Sequence, residues 1–571
     1  MIVPLILGVF VATQTIENGD FEKRPGRDGS IPGWELSIGA MNGATAPVSV
    51  VEIDPKVKHG GRSSLKFSGD NTTRAWQIAR QEVTLRPGGK YRLTGWARTQ
   101  DVRQEKVRGT NITQFANCYL MLILFDGSGE VAGRQLAVPQ KSGADWEKLQ
   151  VELEAPKTAR RAVITIFLSM SGTLWIDDLE LAIERGEELP APEVLVSEGF
   201  EKTSRIPAGW EEELGARNGD GATRNRIEID PKAGSPDSPR SLKFSGEEST
   251  IQWFGLQRTF AAQPGDAFRF RCKVGAENVR RERVQFANLH IRLVFFDAQG
   301  EVVGPARYGN PGTGSFDWKD VEAAGVAPEG TTKAHAGIFL SMSGEAWFDE
   351  LEITKQPGSM PAYHDWKSLE TKHLVLRFPA DHPSAARMPD YGRRLDEVFE
   401  RICACLQVTY DERITMYLYR DGEQGKRLTG QDLDFANPEG RAVHQRPEST
   451  LGHEMVHVIA LKLGYSQTGL LGEGIAVYLN GAKSEEHHRY AAKLLAEGKL
   501  PTVARMLTAF WDQQQGYPAA GSFCGYLIET FGIERFKKLY PLTDPAAAAT
   551  DILGKSLDTI EQDWCAFLSK A

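Results

Sequence analysis

The hexapeptide FLSMSG stands at residues 167–172 and again, letter for letter, at residues 339–344. Identity over six residues so far apart marks a duplicated unit, and the flanks extend it. Upstream, Ser64-Leu65-Lys66-Phe67-Ser68-Gly69 returns as Ser241-Leu242-Lys243-Phe244-Ser245-Gly246, and Ile31-Pro32-Gly33-Trp34 as Ile206-Pro207-Ala208-Gly209-Trp210. Gly19-Asp20-Phe21-Glu22 is echoed by Gly199-Phe200-Glu201, while Trp76, Trp146 and Trp175 have Trp253, Trp318 and Trp347 as counterparts. Residues 16–181 and 197–353 therefore match in order along their whole length. A unit of this size closes its own core, so the pattern is a tandem pair of domains and not a solenoid.

Within each unit the residues read as short strands. Tyr91 to Ala97 alternates apolar with polar, and Leu120 to Phe125 is a continuous apolar run ended by the turn Asp126-Gly127. Helical periodicity is absent. Many even strands with Gly-rich turns predict a two-sheet β-sandwich of jelly-roll type, with one module over 15–186 and its repeat over 195–354. Beyond Ile353 the stretch Lys355-Gln356-Pro357-Gly358-Ser359-Met360-Pro361 reads as a linker into a third domain, 362–571, which carries clear helical periods.

The opening NGDFE, the PGW that follows, PGGKYRLTGWA in the middle and the closing LWIDDLEL resemble carbohydrate-binding modules of the jelly-roll type attached to secreted glycoside hydrolases. That resemblance implies a glycan ligand and a structural calcium (Ca2+), which would pair Glu22 with Asp177 and Glu201 with Asp349. Carboxylate oxygens suit such a hard cation, and equally these acids read as solvated strand-end charges. Trp76 and Trp253 are candidate sugar platforms, although tryptophans at matched repeat positions more commonly fill cores. Asn71-Thr72-Thr73 and Asn111-Ile112-Thr113 match the N-glycosylation pattern.

The third domain opens with strand-like His373 to Phe378 and Ile414 to Tyr419, separated by an amphipathic helix around Tyr391 to Leu406. The stretch STLGHEMVHVIALKLG, residues 449–464, follows. Ser449 and Thr450 are capping candidates and Gly464 a stop, which predicts a helix of about four turns. Residues four apart lie on one helix face, so His453 and His457 present two imidazoles to one point, as tetrahedral zinc (Zn2+) requires. Glu454 is turned about 100° away, next to the metal's open position, where a general base belongs. Fifteen residues separate His457 from Glu473 in Gly472-Glu473-Gly474-Ile475-Ala476-Val477-Tyr478-Leu479. That is room to end one helix, turn and start another, so Glu473 is the expected third ligand.

Together these segments resemble the gluzincin metallopeptidases, specifically the peptidase MA-like group, in which EGIAVYL after HExxH is typical. The resemblance implies an α+β zincin-like domain acting on a protein or glycoprotein substrate. It assigns His453, His457 and Glu473 as ligands and Glu454 as catalytic acid/base. It also implies a tyrosine that stabilises the transition state: Tyr517 in YPAAGSFCGYL is the first choice and Tyr526 its competitor. The GxMEN motif by which aminopeptidases hold a free amino terminus is missing before the helix, which favours cleavage within a chain. Arg441 to Arg446 occupies the place of the gluzincin edge strand, to which an extended peptide could add. His444 there is expected to line the cleft or be exposed. His487 and His488 read as solvated surface residues.

Composition narrows the classes further. With 571 residues, a formal charge of -9 and no basic run, the chain has no electrostatic attraction for nucleic acid. The cysteines Cys118, Cys272, Cys403, Cys405, Cys524 and Cys565 form no CxxC pair and are expected as small buried thiols, with Cys524–Cys565 the one conceivable bridge. Residues 1–14 form an apolar run too short to span a bilayer and predict a secretory leader, with a buried first strand as the other reading. No other stretch is long and apolar enough for a membrane span, so a secreted or periplasmic protein is expected. A non-catalytic glycan or cell-wall binding protein, or a zinc hydrolase specific for glycoproteins, are the competing functions.

Overall fold

The structure, a computed structural model of the chain, describes every residue except 1–12, 15, 27–28, 41–49, 70–74, 105–116, 128–130, 141–142, 144, 203–205, 217–224, 237, 248–251, 282–287, 432–433, 447–450, 481–483 and 571. Side chains at 13–14, 39–40, 75, 213–216, 252–253, 427 and 484 are also outside the description. The two glycosylation patterns and the capping candidates Ser449 and Thr450 thus lie outside the described residues, as does the Trp253 side chain. The chain divides into two compact units, Met1–Ala191 and Pro192–Ala571.

The first unit is a β-sandwich. One antiparallel sheet runs Val50–Asp54, Ser64–Gly69, Ser171–Glu184, Lys90–Arg103, Glu147–Glu154. The other runs Glu35–Ala40, Ala75–Val83, Ala159–Leu168, Cys118–Asp126, Val131–Ala137. Successive strands mostly change sheet, which is the connectivity of a jelly roll. Alternate side chains point inward, so Leu93, Leu120, Leu122, Ile164, Ile166 and Ile176 are wholly buried between the sheets. Thr13 and Gln14, the last residues of the expected leader, pair with Ala182 and Leu181.

Module 2 repeats this order strand for strand. Its first sheet runs Arg226–Asp230, Ser241–Gly246, Ser343–Gln356, Ala267–Arg280, Gly314–Val326, and its second Glu211–Ala216, Gln252–Ala261, Lys333–Leu340, Leu289–Phe296, Arg307–Gly309. Matched tryptophans keep matched roles: the Trp175 indole donates to Asp54 Oδ2 at 2.9 Å and the Trp347 indole to Asp230 Oδ2 at 3.0 Å. Each pair ties the central strand of its sheet to the end of a strand two places away.

The expected linker is pinned down. Lys355 and Gln356 finish the last strand of module 2, the Ser359 amide donates to Gly265 O at 2.9 Å, and Tyr363 is buried beside Gly304. Arg441 of the third domain meets Glu301 of module 2 at 2.7 Å.

The third domain is α+β. Its five-stranded sheet has the order Trp366–Glu370, Leu374–Pro379, Ile414–Leu418, Ala442–Gln445, Phe435–Asn437, with the middle three strands parallel. Leu376, Met416 and Val443 share one row and are wholly buried, facing the helical side. The helices are α1 (Met388–Leu406), α2 (Gly422–Thr429), α3 (His453–Ala460), α4 (Gly469–Leu479), α5 (Ser484–Ala496), α6 (Val503–Thr508), α7 (Gly516–Phe531), α8 (Ile533–Leu539), α9 (Pro545–Leu553) and α10 (Leu557–Leu568). In α1 Tyr391, Leu395, Val398, Phe399, Ile402 and Leu406 recur at helical spacing and form its buried stripe. Among the described residues no helix is long and apolar enough to cross a membrane. All six cysteines are free thiols, so Cys524 and Cys565 form no bridge, and Cys405 is exposed where burial was expected.

Candidate metal centre

Helix α3 is shorter than its sequence suggests. It begins at His453 itself, with Gly452 at φ 100 before it, and after Ala460 tightens into a 3-10 turn over Leu461–Leu463. Gly452 is required twice over: the left-handed backbone suits glycine, and an added Cβ would stand 2.5 Å from Val398 Cγ1. Helix α4 starts at Thr468, whose hydroxyl accepts the Leu471 amide at 3.3 Å. Every residue from Gly469 to Ala476 is buried, so α4 is a central helix, apolar all round except for Glu473.

A lone carboxylate in such a helix needs partners, and it has them. Glu473 Oε2 lies 3.3 Å from His453 Nε2 and 3.5 Å from His457 Nε2, with the two imidazole centroids 5.1 Å apart. Among the described residues these three form the one group of three or more His, Cys, Asp or Glu side chains whose ligand atoms converge, all within 4.8 Å of one another. Two of these separations equal the edge of a zinc tetrahedron, which bonds near 2.0–2.1 Å make about 3.3 Å. Burial would push the Glu473 carboxyl up, but hydrogen bonds from His453 and His457 outweigh it and hold it at about 2. Burial opposes a charge on His457, and the hydrogen bond and charge of Glu473 reverse that, so its pKa stands above the ordinary value. An ionised carboxylate and two imidazoles aimed at one point are a donor set that fits zinc with a position left open.

Glu454 sits on the next position of α3, largely withdrawn from solvent. Burial raises its carboxyl pKa and the neighbouring charges of Glu473 and Asp434 add to the rise, against the pull of His457 and His453. Tyr517, at the start of α7, has its ring 6.4 Å from that of His453 and packs on Phe510 at 5.2 Å. Its phenol pKa is raised by burial and by the charges of Glu473 and Glu454, which places its hydroxyl within their field. Tyr526, two and a half turns further along α7, is buried with its ring 5.4 Å from that of the exposed Phe567.

What brings α7 so near is a glycine seam. An added Cβ at Gly474 would stand 2.5 Å from Cys524 Sγ and 2.7 Å from Ala520 O, and one at Gly521 would stand 2.5 Å from Val477 Cγ1. Each glycine therefore takes a neighbour from the facing helix, Cys524 Sγ against Gly474 and Val477 against Gly521, and the two helices pack closely. Tyr540 was not foreseen from the sequence: it is buried, and burial and the charge of Glu473 raise its phenol pKa, with Ser466 as hydrogen-bond partner. No local pattern around it signals this, since it reaches the site only through the packing of α8.

Several expected site residues fall elsewhere. His444 is neither exposed nor in the cleft. Side chains alternate along Ala442–Gln445, so Val443 faces the helices and His444 faces away, stacked 4.6 Å from both Tyr417 and Phe435, with Nδ1 2.7 Å from the Tyr419 hydroxyl. The strand Ala442–Gln445 is interior, flanked on both sides, and the edge is Phe435–Asn437, which packs against α3. His488 is buried, not solvated: Nδ1 lies 2.9 Å from Ser522 Oγ and Nε2 3.2 Å from Glu529 Oε2, while the half-buried His487 keeps its Nε2 out of solvent. The side of α5 that carries His488 is thus covered by α7 and α10, and His487 lies 6.4 Å from the Tyr478 ring, while Glu485, Glu486 and Arg489 are exposed.

At the expected calcium positions the carboxylates accept backbone amides. Asp177, with no exposed surface, takes the His59 amide at 2.8 Å, the Gly60 amide at 3.2 Å and the Asp178 amide at 2.8 Å. Glu22 takes the amides of Arg62 and Ser63 from the same loop, so both acids clasp residues 59–63. In module 2 Asp349 accepts the Ser235 and Glu350 amides, while Glu201 is exposed. No third acidic or histidine ligand converges on either pair among the described residues.

No family model and no curated protein matches this sequence. Among solved structures the chain is similar to the tandem CBM22-1–CBM22-2 domain of Paenibacillus barcinonensis Xyn10C, at 15% identity and TM-score 0.22, covering 62% of this chain and 98% of that one. The CBM22-1 xylan-binding domain of the same enzyme matches at 15% identity and TM-score 0.22, over 29% of this chain and 97% of that one. TmCBM61 in complex with β-1,4-galactotriose matches at 20% identity and TM-score 0.20, over 30% of this chain and 98% of that one.

Proposed function

We propose that the third domain is a zinc-dependent peptidase of gluzincin type that cleaves within protein or glycoprotein chains. The observation that carries this reading is the convergence of His453, His457 and Glu473 with Glu454 alongside. When bound there, zinc supplies Lewis acidity for a carbonyl and its attacking water. Glu454, with its proton affinity raised by burial, takes a proton from that water and returns it to the leaving nitrogen. Tyr517 donates a hydrogen bond to the oxygen on which charge develops. The edge Phe435–Asn437 offers unpaired backbone groups beside α3, where an extended substrate can add as a further strand.

Two sandwiches in one chain with this domain suit targeting to glycan-bearing surfaces outside the cell. An aromatic surface supports that role: Tyr119 and Phe167 stack at 5.0 Å and 9° on the outer face of the second sheet, and Trp76 lies on the same face. Glu454→Gln is the test of the catalytic reading. It should keep zinc bound and lower turnover of a denatured protein substrate about 10²–10⁴-fold, the range for a general base. Zinc-loaded wild type that leaves every such substrate intact would leave a glycan-binding protein without peptidase activity. Rates on glycosylated and bare forms of one substrate then separate targeting from chemistry.

A further inference from the structure

Beside the candidate centre, on the 3-10 turn Phe510–Asp512, stands a tryptophan that nothing above uses. That turn packs against both α4, which carries Glu473, and α7, which carries Tyr517. Phe510 is buried and anchors it, while Trp511 is 45% and Tyr517 43% exposed. These two large, partly exposed aromatics adjoin a site that would take a substrate, and an apolar group laid against them removes further surface from water. Their rings are 6.0 Å apart and inclined at 59°, and Tyr517 is in turn 6.4 Å from the His453 ring. Trp511 is thus one side chain removed from the ligand set, at the reach of a residue flanking the bond to be cut, since neighbouring Cα atoms lie about 3.8 Å apart.

We propose that Trp511 and Tyr517 form the wall of a subsite that takes a large apolar or aromatic side chain of the residue flanking the scissile bond. This rests on the peptidase reading above and adds its substrate preference. The inclination of the rings favours that occupant over a sugar. Coplanar rings make a platform for a flat pyranose face, whereas rings at an angle make a corner into which an apolar side chain packs by face and edge.

The test uses the full chain loaded with zinc and a peptide library in which the residues flanking each bond are either Phe and Leu or Ala and Gly. Wild type should prefer the large side chains by at least about tenfold in kcat/KM, the discrimination an apolar pocket provides. Trp511→Ala should lose that preference while keeping its zinc content and its rate on the Ala peptides, and Trp511→Phe should retain most of it. An unchanged preference in Trp511→Ala, or a preference for glycosylated peptides that Trp511→Ala removes, overturns the proposal. Peptides cut without regard to side-chain size would sink the subsite alone; a library left uncut by zinc-loaded wild type would sink the peptidase reading and the subsite with it.

Discussion

Asp177 in module 1 and Glu473 in the third domain are both carboxylates withdrawn from solvent, and they are held in opposite ways. Asp177 accepts three backbone amides from a loop and its neighbour, groups that carry no exchangeable charge. Glu473 is met by two imidazole nitrogens, groups that can exchange a shared proton for a cation. Burial alone does not mark a functional site. The kind of partner separates the two: fixed donors make a clasp, and exchangeable ones a candidate centre.

The sharpest way to break this comparison is to remove each acid. Glu473→Ala should weaken zinc binding by more than the roughly 100-fold that loss of an outer-shell partner costs, and competition titration with a chromophoric chelator reads it. Unchanged affinity would put Glu473 among the clasps. Asp177→Ala should leave zinc affinity untouched and lower the stability of the first unit by about 3 kcal/mol, because charge-assisted hydrogen bonds are lost and amides stranded. Urea unfolding followed by the tryptophans of module 1 measures that.

A smaller effect tests a third way of holding a buried charge-bearing group. His444 has one neutral partner, the Tyr419 hydroxyl, and an Nε2 with none, and burial pushes its pKa down to about 3. Between pH 6.5 and that value the unfolded chain binds a proton that the folded chain refuses. Stability should therefore fall as pH drops from 6.5, by up to about 1.4 kcal/mol per pH unit from this residue, and be independent of it above 6.5. His444→Gln should flatten the slope whatever it does to absolute stability; a slope unchanged between pH 4 and 6.5 would contradict the assigned burial.

The repeat was legible because duplicated strands keep their spacing, and the convergence of His453 and His457 because a helix sets residues four apart on one face. The same reasoning could not place His444 or His488. Alternation shows that His444 opposes Val443, but not that Tyr417, Phe435 and Tyr419 close over that side. The start of α5 reads as charged, and only the distant chain of α7 and α10 reveals that His488 is covered. The interior position of Ala442–Gln445 was hidden for a related reason: Phe435–Asn437 is three residues long, too short to register as a strand before it is paired. The spacing Gly521-Ser522-Phe523-Cys524-Gly525, two glycines four apart on α7, is the sign of that close helix packing in the sequence.

That seam has a consequence for how the domain can change. With Gly474 and Gly521 filled by neighbours across the seam, one added methyl group would displace Glu473 and Tyr517 together. Variation at either glycine would have to arrive in step with a smaller partner on the facing helix, so the spacing between the Glu473 carboxylate and the Tyr517 ring changes as a block and not one residue at a time.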